Sequence, residues 1–258
     1  MKKLTALIDG DIYIFKAAAA AEHPIQWTED LWTLHAHMSE AVQMLDQKIE
    51  SIRKDTGATD ILVALSDTTN FRYDIYPHYK HNRKDKRPPL LRAELKEYVQ
   101  AKYPAFLRPG LEGDDVLGIV ATSEVIVKGD KIIVSEDKDM KTIPGRLYNT
   151  GKRTYADVTE READYWHLLQ TLTGDTTDGY PGCPGYGPVK AQKLLGGMLE
   201  DTTTPLSYHW QRVVAAYEKA GLCEAEALTQ ARIARICRKT DYNFKTKEVI
   251  LWTPPNAN

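Results

Sequence analysis

Three short apolar runs in this chain each end on an aspartate: LTALI before Asp9, DILVALS before Asp67 and KIIVSE before Asp137. Between them lie segments whose apolar residues recur at three- and four-residue spacing, the period of a helix packed on one face. Strands that alternate with helices build a mostly parallel sheet, whose strands present their carboxyl ends on one side. Ligands of such sheets bind outside those ends. The pattern therefore predicts an α/β fold that gathers acidic side chains along one rim.

Six more acids fall at helix starts or in tight loops: Glu112, Asp114, Asp115, Asp139, Asp175 and Asp178. Singly, each has a structural explanation. Asp114 and Asp115 suit the first turn of a helix, where the macrodipole favours negative charge. Asp67, before Thr68-Thr69-Asn70, suits a turn, as do Asp175 and Asp178 in their Gly/Thr loop. Asp137 and Asp139 are harder to explain this way, because alternate strand residues face the same side, with Lys138 pointing elsewhere. Together the nine carboxylates would repel one another unless cations join them. An oxygen-only donor set favours magnesium, with manganese as a substitute, over zinc. Two such ions about 4 Å apart can clamp a phosphodiester.

The 258 residues, 42% of them hydrophobic, suffice for one large domain or two closely packed ones. Too few apolar residues follow Met1-Lys2-Lys3 for a signal peptide, and no run reaches the ~18 apolar residues of a membrane span. Cys183, Cys223 and Cys237 lack CxxC spacing, so neither a disulfide framework nor a zinc knuckle is expected. A soluble cytoplasmic protein is the default expectation. The net charge of −2 is misleading for partners: with nine of the 36 acids set aside, 34 Lys and Arg face 27 acids, a balance of +7. An anionic polymer is therefore an admissible substrate, bound weakly without metal.

Along the chain the patterning predicts strands at 4–9, 60–66, 106–108, 131–136 and 147–149. Helices are expected at 11–21, 30–54, 90–102, 114–124, 160–173, 189–195, 207–220 and 224–239, with a last strand at 250–252. The 30–54 helix would bury Leu31, Leu34, Met38, Ala41, Val42, Leu45, Ile49 and Ile52. His35 and His37 on it have no partner at ligand spacing. The division expected is an α/β core over 1–158 and a helical subdomain over 159–258.

Two further segments suggest contacts to a polyanion. The stretch FRYDIYPHYKHNRKDKRPPLLR interleaves Tyr79 and other tyrosines with Lys80, Arg83, Lys84, Lys86 and Arg87. Cations that hold phosphates beside rings that stack bases are what single-strand surfaces use. A solvated basic loop is the plainer reading. The second is Gly182-Cys183-Pro184-Gly185-Tyr186-Gly187-Pro188-Val189-Lys190. Gly185 and Gly187 bracket a tight turn, Pro188 suits a first helical position, and Lys190 and Lys193 flank it. A Gly/Pro-rich connector is the alternative. Read functionally, it has the look of a helix-hairpin-helix, at about 174–196, that grips a duplex backbone.

The strings LIDGD, YKHNRK, LEGDDVLG, SEDKDMKTI and GDTTDGYPGCPGYG together resemble the 5′-nuclease superfamily. That superfamily comprises flap endonucleases, the 5′-nuclease domain of bacterial DNA polymerase I, and the 5′–3′ exonucleases of phages; the short-tailed coliphage branch is most alike. The resemblance spans nearly the whole chain. It implies a PIN-like, mostly parallel sheet flanked by helices, with a C-terminal helical subdomain containing the helix-hairpin-helix. It places Asp9, Asp67, Glu112, Asp114, Asp115, Asp137 and Asp139 around two magnesium ions, with Asp175 and Asp178 completing the second ion's surroundings. Lys80 and Arg83 correspond to the basic pair on the scissile phosphate, at the base of an arch over about 72–102, and Tyr79 to a stacking residue. The hairpin carbonyls correspond to a potassium site. Asp11 departs from the small polar residue of many relatives and is read as supporting rather than ligating.

The function expected is a metal-dependent 5′–3′ exonuclease on duplex DNA with a 5′ end or flap, acting as a monomer in phage DNA replication within the bacterial host cytoplasm. Flap endonuclease activity and removal of RNA primers from RNA–DNA hybrids are further options. The short arch, interrupted by Pro88-Pro89, leaves flap threading open. Alternatives are a PIN-type ribonuclease and a non-catalytic DNA-binding scaffold.

Overall fold

In the computed structural model, which describes residues 3–255, each apolar run ahead of an acid forms a strand. Strand β1 (Leu4–Asp9) lies between β4 (Asp60–Leu65) and β6 (Asp130–Val134) and pairs with both in parallel. Ile8 stands level with Val63 on one side and Val134 on the other. With β5 (Ala105–Leu107), β7 (Gly145–Asn149) and β8 (Thr154–Val158), the six-stranded sheet has the order β5-β4-β1-β6-β7-β8. Only β8 runs antiparallel. The chain leaves β1 first to one side and later to the other, so a crevice opens at the carboxyl end of β1.

Helices cover both faces. Helices α1 (Gly10–Ala20), α2 (Met38–Thr56) and α4 (Arg92–Lys102) bury Ile14, Leu45, Ile49, Leu95 and Val99 on one. Helix α5 (Gly113–Ala121) buries Val116, Leu117 and Val120 on the other. Gly10 is required where α1 meets the sheet, since a Cβ there would lie 2.6 Å from Val63 Cγ1 and 2.7 Å from the Ala64 carbonyl.

A separate helical core comprises α6 (Glu160–Thr173), α7 (Pro188–Leu194), α8 (Leu206–Lys219) and α9 (Glu224–Ala234), around Leu168, Leu172, Val213 and Tyr217. After α9 the chain turns back. Ile236, Cys237 and Tyr242 pack under α5, and β9 (Tyr242–Asn243) pairs with β10 (Glu248–Val249). The approach is close enough that a Cβ on Gly118 would lie 2.3 Å from the Cys237 carbonyl. The C-terminal segment thus belongs to the α/β layer by packing, although it follows the helical part in sequence.

Four elements differ from the sequence expectation. Residues 30–36 are not helical: β2 (Glu22–Gln26) and β3 (Trp32–Ala36) form an antiparallel hairpin with His23 opposite His35. Leu31 and Leu34 are exposed at its tip and edge, and α2 buries its stripe without them. The period-2 run of Trp32, Leu34 and Ala36 prevails over the apparent helical spacing. Helix α9 ends at Ala234 because residues 235–238 extend to reach α5. Strand β8 has no counterpart in the sequence expectation; its Tyr155 ring stacks on Tyr148 with centroids 4.5 Å apart. The last strand lies at 248–249, ahead of the expected 250–252.

The segment 72–102 is α3 (Arg72–Ile75), a 3-10 turn at His81–Arg83, an extended stretch through Pro88-Pro89, and α4. Among the described residues no helix is long and apolar enough to cross a membrane.

Candidate active site

The carboxyl ends of β1, β4 and β6 open into a cleft of about 950 Å³ lined by Asp9, Asp67, Glu112, Asp114, Asp137, Asp139, Asp175 and Asp178. Eight of the nine expected carboxylates therefore share one space. Asp11 lines it too.

At its floor, Asp9 ends β1 and caps α1, accepting hydrogen bonds from Ile12 N at 3.3 Å and Ser135 Oγ at 2.6 Å. Burial pushes its carboxyl up to about 6, against the Ser135 hydrogen bond and with help from Asp11 and Asp137. Asp11 accepts from Ser66 N at 2.8 Å, which ties the start of α1 to the end of β4 and supports the reading of Asp11 as a positioning group. Asp114 accepts no hydrogen bond among the described residues, and burial followed by Asp9, Asp137 and Glu112 pushes its carboxyl well above the usual range. Asp137 caps the 3-10 turn Lys138–Thr142 by accepting from Asp139 N at 2.8 Å.

The far wall is contributed by α6 and the loop after it. Asp139 is bonded by Gln170 Nε2 at 2.5 Å, and burial and Asp137 push it up to about 7. Asp175 takes Lys138 Nζ at 3.0 Å and Thr177 N at 2.7 Å. Burial opposes ionisation of Asp175, yet Lys138 and these hydrogen bonds hold it below the usual range. Burial raises Asp178 despite nearby Lys80 and Arg83. At the rim, Asp67 is held down to about 2 by Thr69 and Gly110 N.

A cationic turn closes the cleft. Lys80 has φ 52 and its backbone N donates to the Asp178 carbonyl at 2.8 Å. Its ammonium is hydrogen-bonded to Glu112 Oε1 and lies 3.8 Å from Asp178 Oδ2. Burial works against that charge, but Glu112 and Asp178 raise Lys80 above its ordinary value. Arg83 Nη2 reaches Asp178 Oδ1 at 2.5 Å, and Asn82 Nδ2 donates to the Thr176 carbonyl at 2.7 Å. The turn that carries Lys80 and Arg83 is thereby fastened to the loop that carries Asp175 and Asp178.

Among the described residues no three of these carboxylates converge on one point as they stand. Lysine and arginine side chains take oxygens that a metal ion would take. The donor chemistry still fits divalent cations: the set is oxygen-only, and burial with mutual repulsion raises Asp9, Asp114 and Asp139, a cost that a bound cation would relieve.

Three expected site residues play other roles. Asp115 is turned away from the cleft, with both oxygens on buried Arg72 at 2.7 and 2.8 Å and further bonds from Cys237 N and Glu112 N. It has no oxygen to spare for an ion. Tyr79 is only 2% exposed, and its hydroxyl donates to Glu112 at 2.8 Å and Asp178 at 3.0 Å, so its ring cannot stack a base. Arg87 is committed to Glu22 of the β2–β3 hairpin at 2.8 and 2.9 Å, which pins the arch segment to that hairpin. Lys84 lines the cleft, and Lys86 is exposed.

Arg92, counted in the sequence only as one cation of the basic stretch, and Lys96, which sequence reasoning missed, line the cleft from α4. Their i,i+4 spacing puts both on one flank of α4, beside buried Leu95 and Val99, and was a legible signal. Sequence reasoning also missed Ser66 and Ser135, whose hydroxyls hold Gly113 N at 2.8 Å and Asp9 at 2.6 Å. Tyr73, 41% exposed, is the tyrosine that faces the cleft.

Outside the cleft, Gly185 has φ 75, Gly187 caps α7 and Pro188 is its first residue. Lys190 donates to the Gly185 carbonyl at 3.1 Å and lies 3.9 Å from the Tyr186 ring centroid, while Lys193 is exposed.

Residues 4–162 match the family model described as 5′-3′ exonuclease, N-terminal resolvase-like domain. The chain is 34% identical to the exodeoxyribonuclease of Enterobacteria phage T3, over 96% of this chain and 92% of that protein. It is 32% identical to the exonuclease of Escherichia phage T7, over 96% and 93%. Among solved structures, the bacteriophage T5 flap endonuclease in complex with DNA and metal ions matches with TM-score 0.59 at 16% identity, over 89% of each chain. That likeness shows a shared fold.

Proposed function

We infer the chemistry from one premise: this chain belongs to the 5′-3′ exonuclease family. It is a 5′–3′ exonuclease of the flap-endonuclease type, a hydrolase of phosphodiester bonds. We propose that its substrate is duplex DNA presenting a 5′ end or flap, and that its cofactor is magnesium, two ions with manganese as a substitute. The observation that carries this reading is the cleft itself, where eight carboxylates line one space and burial, with mutual repulsion, raises Asp9, Asp114 and Asp139 above the ordinary carboxylate range. The metal-bearing T5 relative supports it.

Asp9, Asp114 and Asp137 would hold one ion with Glu112 and Asp67, and Asp139, Asp175 and Asp178 the other. When bound, the ions supply an activated water and neutralise charge on the leaving oxygen. The chain's residues do the rest. Lys80 and Arg83, freed from Glu112 and Asp178, turn to the scissile phosphate and stabilise the charge that develops on it. Tyr79 keeps Glu112 and Asp178 in register. Arg92, Lys96, Lys84 and Lys86 hold neighbouring phosphates. The Gly185–Gly187 hairpin, with Lys190 and Lys193, contacts the duplex backbone away from the cut; a potassium ion there would share the Gly185 carbonyl with Lys190. RNA–DNA hybrids as a second substrate, a monomeric state and action on replicating phage DNA in the host cytoplasm complete the proposal.

The test is a time course on 5′-labelled blunt, recessed and flapped duplexes, and on RNA–DNA hybrids, with and without magnesium. Mononucleotides from blunt ends mark the exonuclease, and intact flap oligonucleotides the endonuclease. Asp137→Ala should reduce cleavage by orders of magnitude while DNA binding persists. Full activity in that variant would overturn the metal assignment. Preferential cleavage of single-stranded RNA would restore the ribonuclease alternative.

A further inference from the structure

A second hollow lies against α5 and shares no lining residue with the acidic cleft. It holds about 220 Å³ between α5, the end of β5 and the β9–β10 turn. An apolar cavity of ~150 Å³ admits one benzene ring. This one has space for a ring and the chain that carries it.

Its lining is apolar at the base and basic at the rim. Val116, Ile119 and Val120 of α5 form the base with Phe106, and Tyr242 and Phe244 form a wall. The Tyr242 hydroxyl is buried with no hydrogen-bond partner among the described residues, an arrangement that is costly unless something else offsets it. Arg108 lies over the Phe106 ring, 3.7 Å from its centroid, and spends its guanidinium only on the adjoining Leu107 carbonyl at 3.0 Å. Exposed Lys247 lines the same hollow. Among the described residues neither cation has a carboxylate partner, whereas Lys80, Arg83, Arg87 and Lys138 all do. Val125, at 67% exposure, leaves the mouth open to solvent.

We propose that this hollow is a docking site for an acidic peptide segment of a partner protein, which inserts one large apolar side chain while flanking carboxylates pair with Arg108 and Lys247. Charge complementarity favours a peptide: two unpaired cations from distant parts of the chain stand at the rim of a one-residue apolar socket. The site is also connected to the cleft. The Leu111 carbonyl accepts Asp67 N at 2.8 Å, and Gly110 N donates to Asp67 Oδ2 at 2.9 Å. The segment that borders the hollow therefore holds a candidate metal ligand in place.

The test measures binding without cleavage, so its outcome is independent of the nuclease reading. A fluorescent acidic peptide with a single phenylalanine is titrated against the full chain, beside its Phe-to-Ala version, a version with amides for carboxylates, and free 3-phenylpropionate. Loss of the ring should weaken binding about 10- to 100-fold, as burial of a large apolar side chain implies. Lys247→Glu and Val125→Asp, both exposed and remote from the cleft, should weaken the phenylalanine peptide severalfold or more with an unchanged melting temperature. Methyl resonances of Ile119, Val120 and Leu111 should shift on binding. Equal affinity for the Ala peptide, or no effect of either variant, would place binding elsewhere on the basic surface and overturn the proposal. Phenylpropionate binding as tightly as the peptide would make this a small-molecule pocket and overturn it likewise.

Discussion

Arg72 grips Asp115 with both guanidinium nitrogens, at 2.7 and 2.8 Å, in a pair closed to solvent. Arg72 also donates to the Ile233 and Arg235 carbonyls, at 2.9 and 2.6 Å, so the pair binds α3, α5 and the returning C-terminal segment together. Adjacent Asp114 makes no such contact. The two aspartates should therefore give opposite phenotypes. Asp115→Ala leaves a buried guanidinium unpaired and should cost about 3–5 kcal/mol in urea unfolding. Asp114→Asn relieves repulsion, so stability should hold or rise while cleavage collapses. Asp115→Asn, which keeps some of the hydrogen bonds, should fall between. Equal losses of stability in Asp114→Asn and Asp115→Ala would contradict the division of roles.

The Tyr79 hydroxyl bridges Glu112 and Asp178 from inside the protein, whereas the Tyr73 ring is open to the cleft. Tyr79→Phe should lose about 1 kcal/mol of stability, a typical net hydrogen bond, and require more magnesium for half-maximal cleavage, with DNA affinity unchanged. Tyr73→Ala should instead weaken single-strand affinity by roughly 1–3 kcal/mol, the range for one base–ring stack. Filter binding and magnesium titration separate the two; the reverse pattern would return the stacking role to Tyr79.

The parts of the site legible in the sequence were those that strand ends dictate. A carboxylate after an apolar run must lie at the rim of a parallel sheet, so Asp9, Asp67 and Asp137 could be placed without coordinates. What could not be read was which way a side chain turns. Asp114 and Asp115 are neighbours in one helical turn, and only the position of Arg72, 43 residues away from Asp115, decides that Asp115 faces inward. The placement of Tyr79 has the same cause: its hydroxyl is held by Asp178, 99 residues on. The β2–β3 hairpin was lost to a local ambiguity, since Leu31, Leu34 and Met38 fit a helical period while Trp32, Leu34 and Ala36 fit a strand. In the structure α2 begins at Met38 and buries Ala41, Leu45, Ile49 and Ile52, while the residues ahead of it pair as strands.

Lys80 is hydrogen-bonded to Glu112 within a largely buried contact, at 15% and 17% side-chain exposure. It neutralises Glu112, a candidate metal ligand. Lys80→Ala should slow single-turnover cleavage by about 10²–10³, the usual effect of removing one donor to developing charge. Half-saturating magnesium should be no higher than in the parent, because Glu112 loses a competitor. A pure loss of DNA affinity with an unchanged single-turnover rate would make Lys80 a positioning residue only.

Magnesium should stabilise this protein more at alkaline than at acid pH. Asp9 and Asp139 are pushed up from 3.8 to about 6 and about 7. Between the unfolded and folded values the native state holds more protons than the unfolded chain, so stability in chelator falls as pH rises through about 4 to 7. A bound divalent ion favours the ionised carboxylates and cancels that loss. Buried His167, held well below its ordinary value chiefly by burial, lowers stability as pH drops below about 6.5. It does so with or without metal and drops out of the difference. Melting temperatures in chelator and in magnesium, compared at about pH 5 and about pH 8, give the increment. It should be small at the lower pH and larger at the upper. An increment that is flat, or larger in acid, would show that these two carboxylates do not meet the ions.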